Sequence, residues 1–239
     1  METPSPDWFR ARLVAETEAF ARVLDQAVLE PSLLSAPVLA CPGWDLTALT
    51  HHLGEVHRWV CGAVREGHGD TEVTDAPRDP EALAAWFRSG ADDLVAALEA
   101  DPGRPAWTFH PPATVGFWQR RQALENLVHR WDAERAVGGP GPVDPALAAV
   151  GVTEILEVFL PRRLGKRWLD PLPHAVTLRG SDTTDAWVVG PGEPIAELTA
   201  PAAVLYLRLW KRLGADHPDL VWSGDRPAGE QVVAMSLTP

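Results

Sequence analysis

Three side chains have the types and spacing of a metal site: His52, Glu125 and His129. Glu125 and His129 are four residues apart in a segment with strong helical character. At about 3.6 residues per turn, a helix places them one above the other on the same face. His52 lies in another helical segment and would supply a third ligand. Two imidazoles and one carboxylate leave a coordination position open, which is typical of a catalytic zinc site and not of a closed structural one.

The spacing alone is equally compatible with residues that bind no metal, because a glutamate and a histidine four residues apart are also common on the surface or in the core of helices. His51 and His57 are turned by about 100° and 140° from His52 around the same helix, so neither shares its ligand face easily. We therefore assign both to packing or solvent. Asp132 follows His129 by three residues and either accepts a hydrogen bond from it or pairs with a nearby arginine.

Other reactive or aromatic side chains are given simpler roles. Cys41 and Cys61 are interpreted as small, buried apolar groups, since a reactive cysteine needs an electropositive setting that a sequence does not display. Most tryptophans are expected in the core. Three of them lie close to the ligand segments and are candidates for apolar walls that keep water from a metal: Trp44, Trp59 and Trp118.

Length and composition narrow the class of protein. The chain has 239 residues, enough for one large domain or two modest ones, and a formal net charge of −12. This charge argues against binding to nucleic acid and gives no support for binding to an anionic membrane. Two cysteines make a disulfide framework unlikely. The chain has no apolar run long enough for a bilayer span and its start does not resemble a signal peptide, so we expect a cytoplasmic protein. The oligomeric state is not encoded in any pattern we recognise.

Hydrophobic periodicity predicts four long helices in the first half, with a polar, proline-containing loop over residues 70–80. Asp45 or Thr47 is a plausible N-cap of the second helix, and Pro80 is well placed in the first turn of the third. Such helices usually form a bundle whose core can hold metal ligands. The predicted helices span about 7–29, 45–66, from 80 onward, and from 114 to a point before 138.

The character of the chain changes after Gly138. We predict an α+β protein, with a four-helix bundle over residues 1–140 and a linking helix plus a small α/β domain over 141–239. The linking helix begins with Asp144 as N-cap and runs to about Phe159 or through Arg163, and Pro161 should end or bend it. Beyond it the sequence predicts, in order, a hairpin in HAVTLRGSDTTDAWVVG, a helix in ELTAPAAVLYLRLWKRLG and a strand in DLVWSGD.

Two segments together resemble the mycothiol-dependent maleylpyruvate isomerase family within the DinB-like bundle proteins. They are CPGWDLTALTHHLGEVHRW and TVGFWQRRQALENLVHRWDAE, and the strand, helix and VWSGD segments near the end look like that family's C-terminal domain. The resemblance implies a four-helix bundle that binds Zn²⁺ or another divalent metal, with a low-molecular-weight thiol, mycothiol, as the fourth ligand. The family's ligand positions fall on His52, Glu125 and His129. Its C-terminal arginine is matched to Arg212, which with Arg208 and Lys211 is expected on the C-terminal helix.

These features predict a metal- and thiol-dependent enzyme that adds a metal-bound thiolate to an electrophilic small molecule. Coordination to a cation favours the thiolate, the nucleophilic form of a thiol. Release of the adduct would make the protein an S-transferase, whereas elimination after bond rotation would make it a maleylpyruvate-type cis–trans isomerase. Two alternatives remain: a metal-binding sensor or interaction module without turnover, and a metal-dependent hydrolase that binds water in the open position.

Overall fold

The computed structural model describes residues 4–71 and 75–239. It divides into two compact units, one ending at Pro142 and the other running from Val143 to Pro239. Part of the predicted 70–80 loop, residues 72–74, lies outside the described residues, as do residues 1–3 of the predicted bundle domain. Among the described residues, none of the helices combines the length and the hydropathy that a bilayer span requires.

The first unit confirms the predicted bundle. Three of its long helices begin where a polar side chain caps free backbone N–H groups, the exception being the helix that follows Thr114. Asp45 accepts from Ala48 N at 2.8 Å, and Asp79 accepts from Ala82 N at 2.9 Å. A short 3₁₀ helix over Pro31–Ser35 lies in the connection after the first long helix. The long helices are α1 (Pro6–Leu29), α2 (Leu46–Arg65), α3 (Pro80–Ala97) and α4 (Val115–Val137).

Helix α4 is buried on nearly every side, because α1 and α2 both pack against it. A helix in this position normally carries apolar residues all round. Here the buried stretch between Phe117 and Ala133 also contains many polar and charged side chains, and buried polar groups need hydrogen-bond or ionic partners. They are Gln119, Arg121, Gln122, Glu125, Asn126, His129, Arg130 and Asp132.

The second unit begins with the predicted linking helix, α5 (Pro145–Glu154), which continues through a π-helical turn at Ile155–Phe159 into α6 (Leu160–Gly165). Of the two predicted limits, the longer one through Arg163 is confirmed, so Pro161 does not end this helix. Proline lacks an N–H and clashes with the carbonyl four residues earlier. The wide turn, in which Leu160 N–H bonds the carbonyl of Ile155, directly precedes the proline, so the chain changes its hydrogen-bond spacing there and continues as a helix.

The described residues of the second unit also form a four-stranded sheet in the order β2-β1-β3-β4. The predicted hairpin is confirmed: β1 and β2 pair antiparallel, with Thr177 opposite Val188. β1 pairs parallel with β3, and β3 pairs antiparallel with β4, which confirms the predicted strand in DLVWSGD. The strands are β1 (Ala175–Gly180), β2 (Ala186–Val189), β3 (Pro194–Ala200) and β4 (Val221–Gly224).

The predicted helix from ELTA to WKRLG is wrong at both ends. ELTA belongs to β3, and the helix α7 covers only Ala202–Leu209. Lys211 takes a left-handed conformation with φ 63°, and Arg212 N–H bonds the carbonyl of Leu207 at 2.8 Å, a geometry that closes a helix. Lys211 and Arg212 therefore follow α7 and are not part of it. A last helix, α8 (Arg226–Ala234), was not predicted.

Candidate metal centre

The structure brings His52, Glu125 and His129 together inside the bundle. His52 lies on α2, and the other two lie one turn apart on α4. One carboxylate oxygen, Glu125 Oε1, is 3.4 Å from His52 Nε2 and 3.3 Å from His129 Nε2. All three potential ligand atoms lie within 4.8 Å of one another. Two imidazole nitrogens and one carboxylate oxygen therefore face a common point.

These distances fit a zinc-sized cation. Ligand atoms about 2.0–2.1 Å from a tetrahedral zinc ion lie about 3.3–3.4 Å from each other, the length of a tetrahedron's edge. The two separations from Glu125 Oε1, 3.3 and 3.4 Å, have this length. The donor set also has the composition of known catalytic sites, with two imidazoles and one carboxylate. The residues present thus fit a divalent cation held by three protein ligands.

His52 is held in a neutral form suited to ligation. Burial, followed by the proximity of the His129 imidazole, lowers the pKa of His52 from 6.5 to about 4. Its ring packs against the indole of Trp44, with the centroids 4.9 Å apart. Of the three tryptophans suggested as walls, Trp44 therefore contacts a candidate ligand. A histidine that is neutral at pH 7 keeps a lone pair available for a metal.

Glu125 is fixed by a second buried side chain on α4. Arg121 lies one turn earlier and its guanidinium bonds the other carboxylate oxygen, Glu125 Oε2. Oε1 is left facing both imidazoles. The two oxygens of the carboxylate therefore have different partners, and the side chain cannot turn away without breaking a buried ion pair.

His129 is oriented by Asp132. His129 Nδ1 lies 3.1 Å from Asp132 Oδ2, and the Asp132 side chain is fully buried. The carboxylate is an acceptor, so Nδ1 carries the proton and Nε2 presents its lone pair towards Glu125 and His52. A carboxylate behind a histidine in this way is the usual support for a metal-ligating imidazole. The hydrogen bond from His129 to Asp132, one of the two interpretations from the sequence, is present in the structure.

The family of the chain follows from its first unit. Residues 10–134, more than half of the chain and all three candidate ligands, match the family model described as the mycothiol maleylpyruvate isomerase N-terminal domain. The chain belongs to this family. The resemblance inferred from the two ligand segments is thereby confirmed.

Solved structures extend the likeness beyond that domain. A crystal structure of the mycothiol-dependent maleylpyruvate isomerase has a TM-score of 0.68 with this chain, covering 94% of this chain and 96% of that one at 14% identity. A structure of a histidine-to-alanine variant of the same isomerase gives the same values. At this identity the likeness shows a shared fold, including the α+β class. No curated protein sequence matches the chain significantly.

Two other histidines of this maleylpyruvate isomerase family member stand apart from the candidate ligand group. His57 is fully buried, and its Nε2 lies 2.9 Å from Asn126 Oδ1. His51 is half-buried beside Trp86, with ring centroids 6.4 Å apart. Both assignments to packing agree with these contacts. Trp59 and Trp118 pack against each other at 5.3 Å within an aromatic cluster.

Cys41 differs in part from its prediction. It is half-buried, and its sulfur lies within 4.8 Å of a His129 ring nitrogen and an Asp132 carboxylate oxygen. The prediction is therefore correct only in part: Cys41 packs against the hydrophobic core of the bundle, but it is half-buried and also lies beside the carboxylate that orients His129. Cys61 is buried as predicted, and burial raises the pKa of its thiol to about 11.

Arg212 lies in the second unit, just after α7. Its Nη1 donates to the carbonyl of Trp210 at 2.8 Å, and its guanidinium carbon is 5.5 Å from the Trp210 ring centroid. Arg208, on α7, is buried and donates to Glu230 at 3.2 Å.

The sequence analysis did not identify Arg121 as part of the site. Its signal was present, because it precedes Glu125 by the same four residues that separate Glu125 from His129.

The burial of His57 predicts a pH dependence of stability. Burial lowers its pKa from 6.5 to about 4 in the folded protein. Below pH 6.5 the unfolded chain takes up the proton first, so the free energy of unfolding falls by about 1.4 kcal/mol per pH unit until about pH 4. Metal-free wild type and His57→Gln should therefore differ by this slope in urea unfolding between pH 6 and 4.5.

The glutamine of His57→Gln keeps an N–H donor for Asn126, so the variant should remain folded. His68→Gln is the control, because the His68 side chain is 52% exposed. It should leave the slope of the wild type unchanged. If the wild type and His57→Gln have equal slopes, His57 is not held neutral in the folded protein.

Proposed function

We propose that the protein is a metal-dependent enzyme that activates a low-molecular-weight thiol, mycothiol, for addition to an electrophilic small molecule. The observation that supports this most strongly is the arrangement of His52, Glu125 and His129, whose spacing of 3.3 and 3.4 Å around Glu125 Oε1 suits a tetrahedral Zn²⁺. Mycothiol is proposed as the thiol because the chain belongs to the mycothiol maleylpyruvate isomerase N-terminal domain family.

The three ligands would hold the cation, which when bound stabilises the thiolate form of the thiol in the open position. The rest of the site orients these ligands. Asp132 keeps the proton of His129 on Nδ1, Arg121 holds Glu125 Oε2, and Trp44 packs against the His52 ring. Because these contacts fix the orientation of the ligand side chains, little reorganisation of them is needed when a thiol binds.

The chemistry then has two outcomes. The thiol sulfur forms a bond to the electrophilic carbon, and the thiol proton passes to the product, which an S-transferase releases. In an isomerase, the addition converts a double bond to a rotatable single bond, and elimination restores the double bond and the free thiol. The ligand set serves both reactions. The solved isomerase of the same fold gives maleylpyruvate as the substrate to examine first.

The test is to load the purified protein with one equivalent of Zn²⁺ and incubate it with mycothiol and either maleylpyruvate or a panel of Michael acceptors. A transferase consumes thiol in step with product, and mass spectrometry shows the conjugate. An isomerase changes the geometry of the substrate while the thiol concentration stays constant. Turnover of esters or amides without thiol would instead support a hydrolase, and zinc-loaded protein without any turnover would support a binding module.

We further propose that Arg212 binds the carboxylate of an anionic substrate. It is a permanently charged, half-buried side chain with a fork of donors that suits a carboxylate. Arg212→Gln is expected to raise KM for an anionic substrate at least about tenfold, while KM for an uncharged Michael acceptor changes little. Steady-state kinetics on one substrate of each type would measure this difference.

Arg208→Gln is not a suitable control, because Arg208 pairs with Glu230 inside the second unit. Arg226→Gln, at the first position of α8, is the matched control for a lost positive charge in this unit. Equal effects of Arg212→Gln on both substrates, or a KM for the anion that does not change, would remove Arg212 from substrate binding.

A further inference from the structure

Arg121 is a buried, positively charged side chain that bonds one of the candidate ligands directly. It is 5% exposed, lies on α4 one turn before Glu125, and bonds the Glu125 oxygen that faces away from the histidines. A carboxylate ligand can be oriented by a neutral donor, such as a glutamine or a backbone amide. The presence of an arginine adds a permanent charge to the site as well as hydrogen bonds.

The charges of the candidate ligands and of the two buried side chains that bond them directly can be counted. Glu125 and Asp132 each contribute one negative charge, and Arg121 contributes one positive charge. The two histidines count as neutral when they ligate a metal. A divalent cation therefore leaves an excess of one positive charge, which a single anionic fourth ligand neutralises. Without Arg121 the metal-loaded group would already be neutral, and an anion would make it negative in a buried setting.

We propose that Arg121 sets the charge of the metal centre so that its open position selects an anion, such as a thiolate, over a neutral ligand. This inference rests on the proposed function, because it assumes a divalent ion at His52, Glu125 and His129. Arg121 is a positioning residue in this scheme: it acts on the fourth ligand through the field at the metal and through Glu125. Its role as a charge is separable from its role as a hydrogen-bond donor.

The experiment compares an anionic with a neutral probe of the open position in Co²⁺-loaded protein. Azide is the anion and imidazole is the neutral ligand, and both are titrated at fixed pH while the visible spectrum of Co²⁺ is recorded. The variants are Arg121→Met, which removes the charge, and Arg121→Lys, which keeps it. Arg88→Met is the control, because Arg88 pairs with the exposed Asp25 on the outside of the bundle.

Arg121→Met is expected to bind azide at least about tenfold more weakly than the wild type, with imidazole affinity changed less than about threefold. Arg121→Lys and Arg88→Met should retain the wild-type ratio of azide to imidazole affinity. A purely structural role of Arg121 predicts that both probes weaken together. That result, or an unchanged ratio in Arg121→Met, would overturn the inference.

The same titration separates this inference from the proposed function. If the wild type binds Co²⁺ and azide but no thiol, the proposed thiol chemistry fails, whereas Arg121 is still judged by its azide-to-imidazole ratio. Wild-type protein that binds no Co²⁺ would overturn both proposals. Circular dichroism and the Co²⁺ stoichiometry of Arg121→Lys show whether a variant at this position folds and loads.

Discussion

Replacing His129 with alanine is expected to lower the affinity of the protein for Zn²⁺ by at least about 10³-fold. Loss of a group that only supports a ligand typically costs 10–100-fold, and His129 is itself one of three candidate ligands. Glu125 and His52 would remain, but two ligands bind a divalent ion much more weakly than three. Competition with a chromophoric chelator measures the change, and thiol-dependent turnover should disappear with the metal.

Two further variants provide an unchanged control and an intermediate loss of Zn²⁺ affinity for comparison. His51→Ala, on the neighbouring position of α2, should bind Zn²⁺ as the wild type does, because His51 contacts Trp86 and not the ligand group. Asp132→Asn should show an intermediate loss of about 10–100-fold, since it weakens only the support of His129. If His129→Ala binds one equivalent of Zn²⁺ as tightly as the wild type, the metal centre lies elsewhere.

Replacing Arg130 with methionine is expected to destabilise the bundle by about 3–5 kcal/mol. Arg130 is 4% exposed and joins α4 to α1 through Glu16, with Nε and the carboxylate 2.7 Å apart. Its Nη1 also bonds Glu134 at 2.7 Å. Methionine fills much of the space but leaves the Glu16 carboxylate buried without this partner. Urea unfolding monitored by circular dichroism gives the change in the free energy of unfolding.

The double variant Glu16→Leu/Arg130→Met should recover a large part of this loss, because apolar groups of similar volume often replace a buried ion pair at little cost. Arg10→Met is the surface control. Arg10 pairs with Asp7, whose side chain is 83% exposed, so its loss should change stability by less than about 1 kcal/mol. An effect of Arg130→Met as small as that of Arg10→Met would show that burial does not make this pair important.

The first unit was predictable because its helix signals are local. Asp45 and Pro80 mark helix starts, and Gly138 follows the last residue of α4, so the predicted limits lie within a residue or two of the observed ones. The approach of Glu125 and His129 follows from their spacing. His52 precedes Glu125 by 73 residues, so its approach was a hypothesis from its residue type and helical segment, which the family resemblance then supported.

The second unit was less predictable because its strands depend on distant partners. The segment ELTA resembles a helix start, yet it forms a strand because β1 pairs with it on one side and β4 on the other. The role of Arg121 was hidden for a related reason. In the sequence it is one of two adjacent arginines in a polar stretch. Only the packing of α1 and α2 around α4 buries it and makes its partner important.

The buried position of α4 has a consequence for how metal binding can be tested. An ion that binds only the folded bundle raises its free energy of unfolding by about 1.4 kcal/mol for each tenfold excess of free ion over Kd. His52 and His129 come from separate helices, so an unfolded chain has little means of holding the ion between them. The midpoint of thermal unfolding therefore becomes a scale of metal affinity, and candidate metals can be ranked on it before any substrate is known.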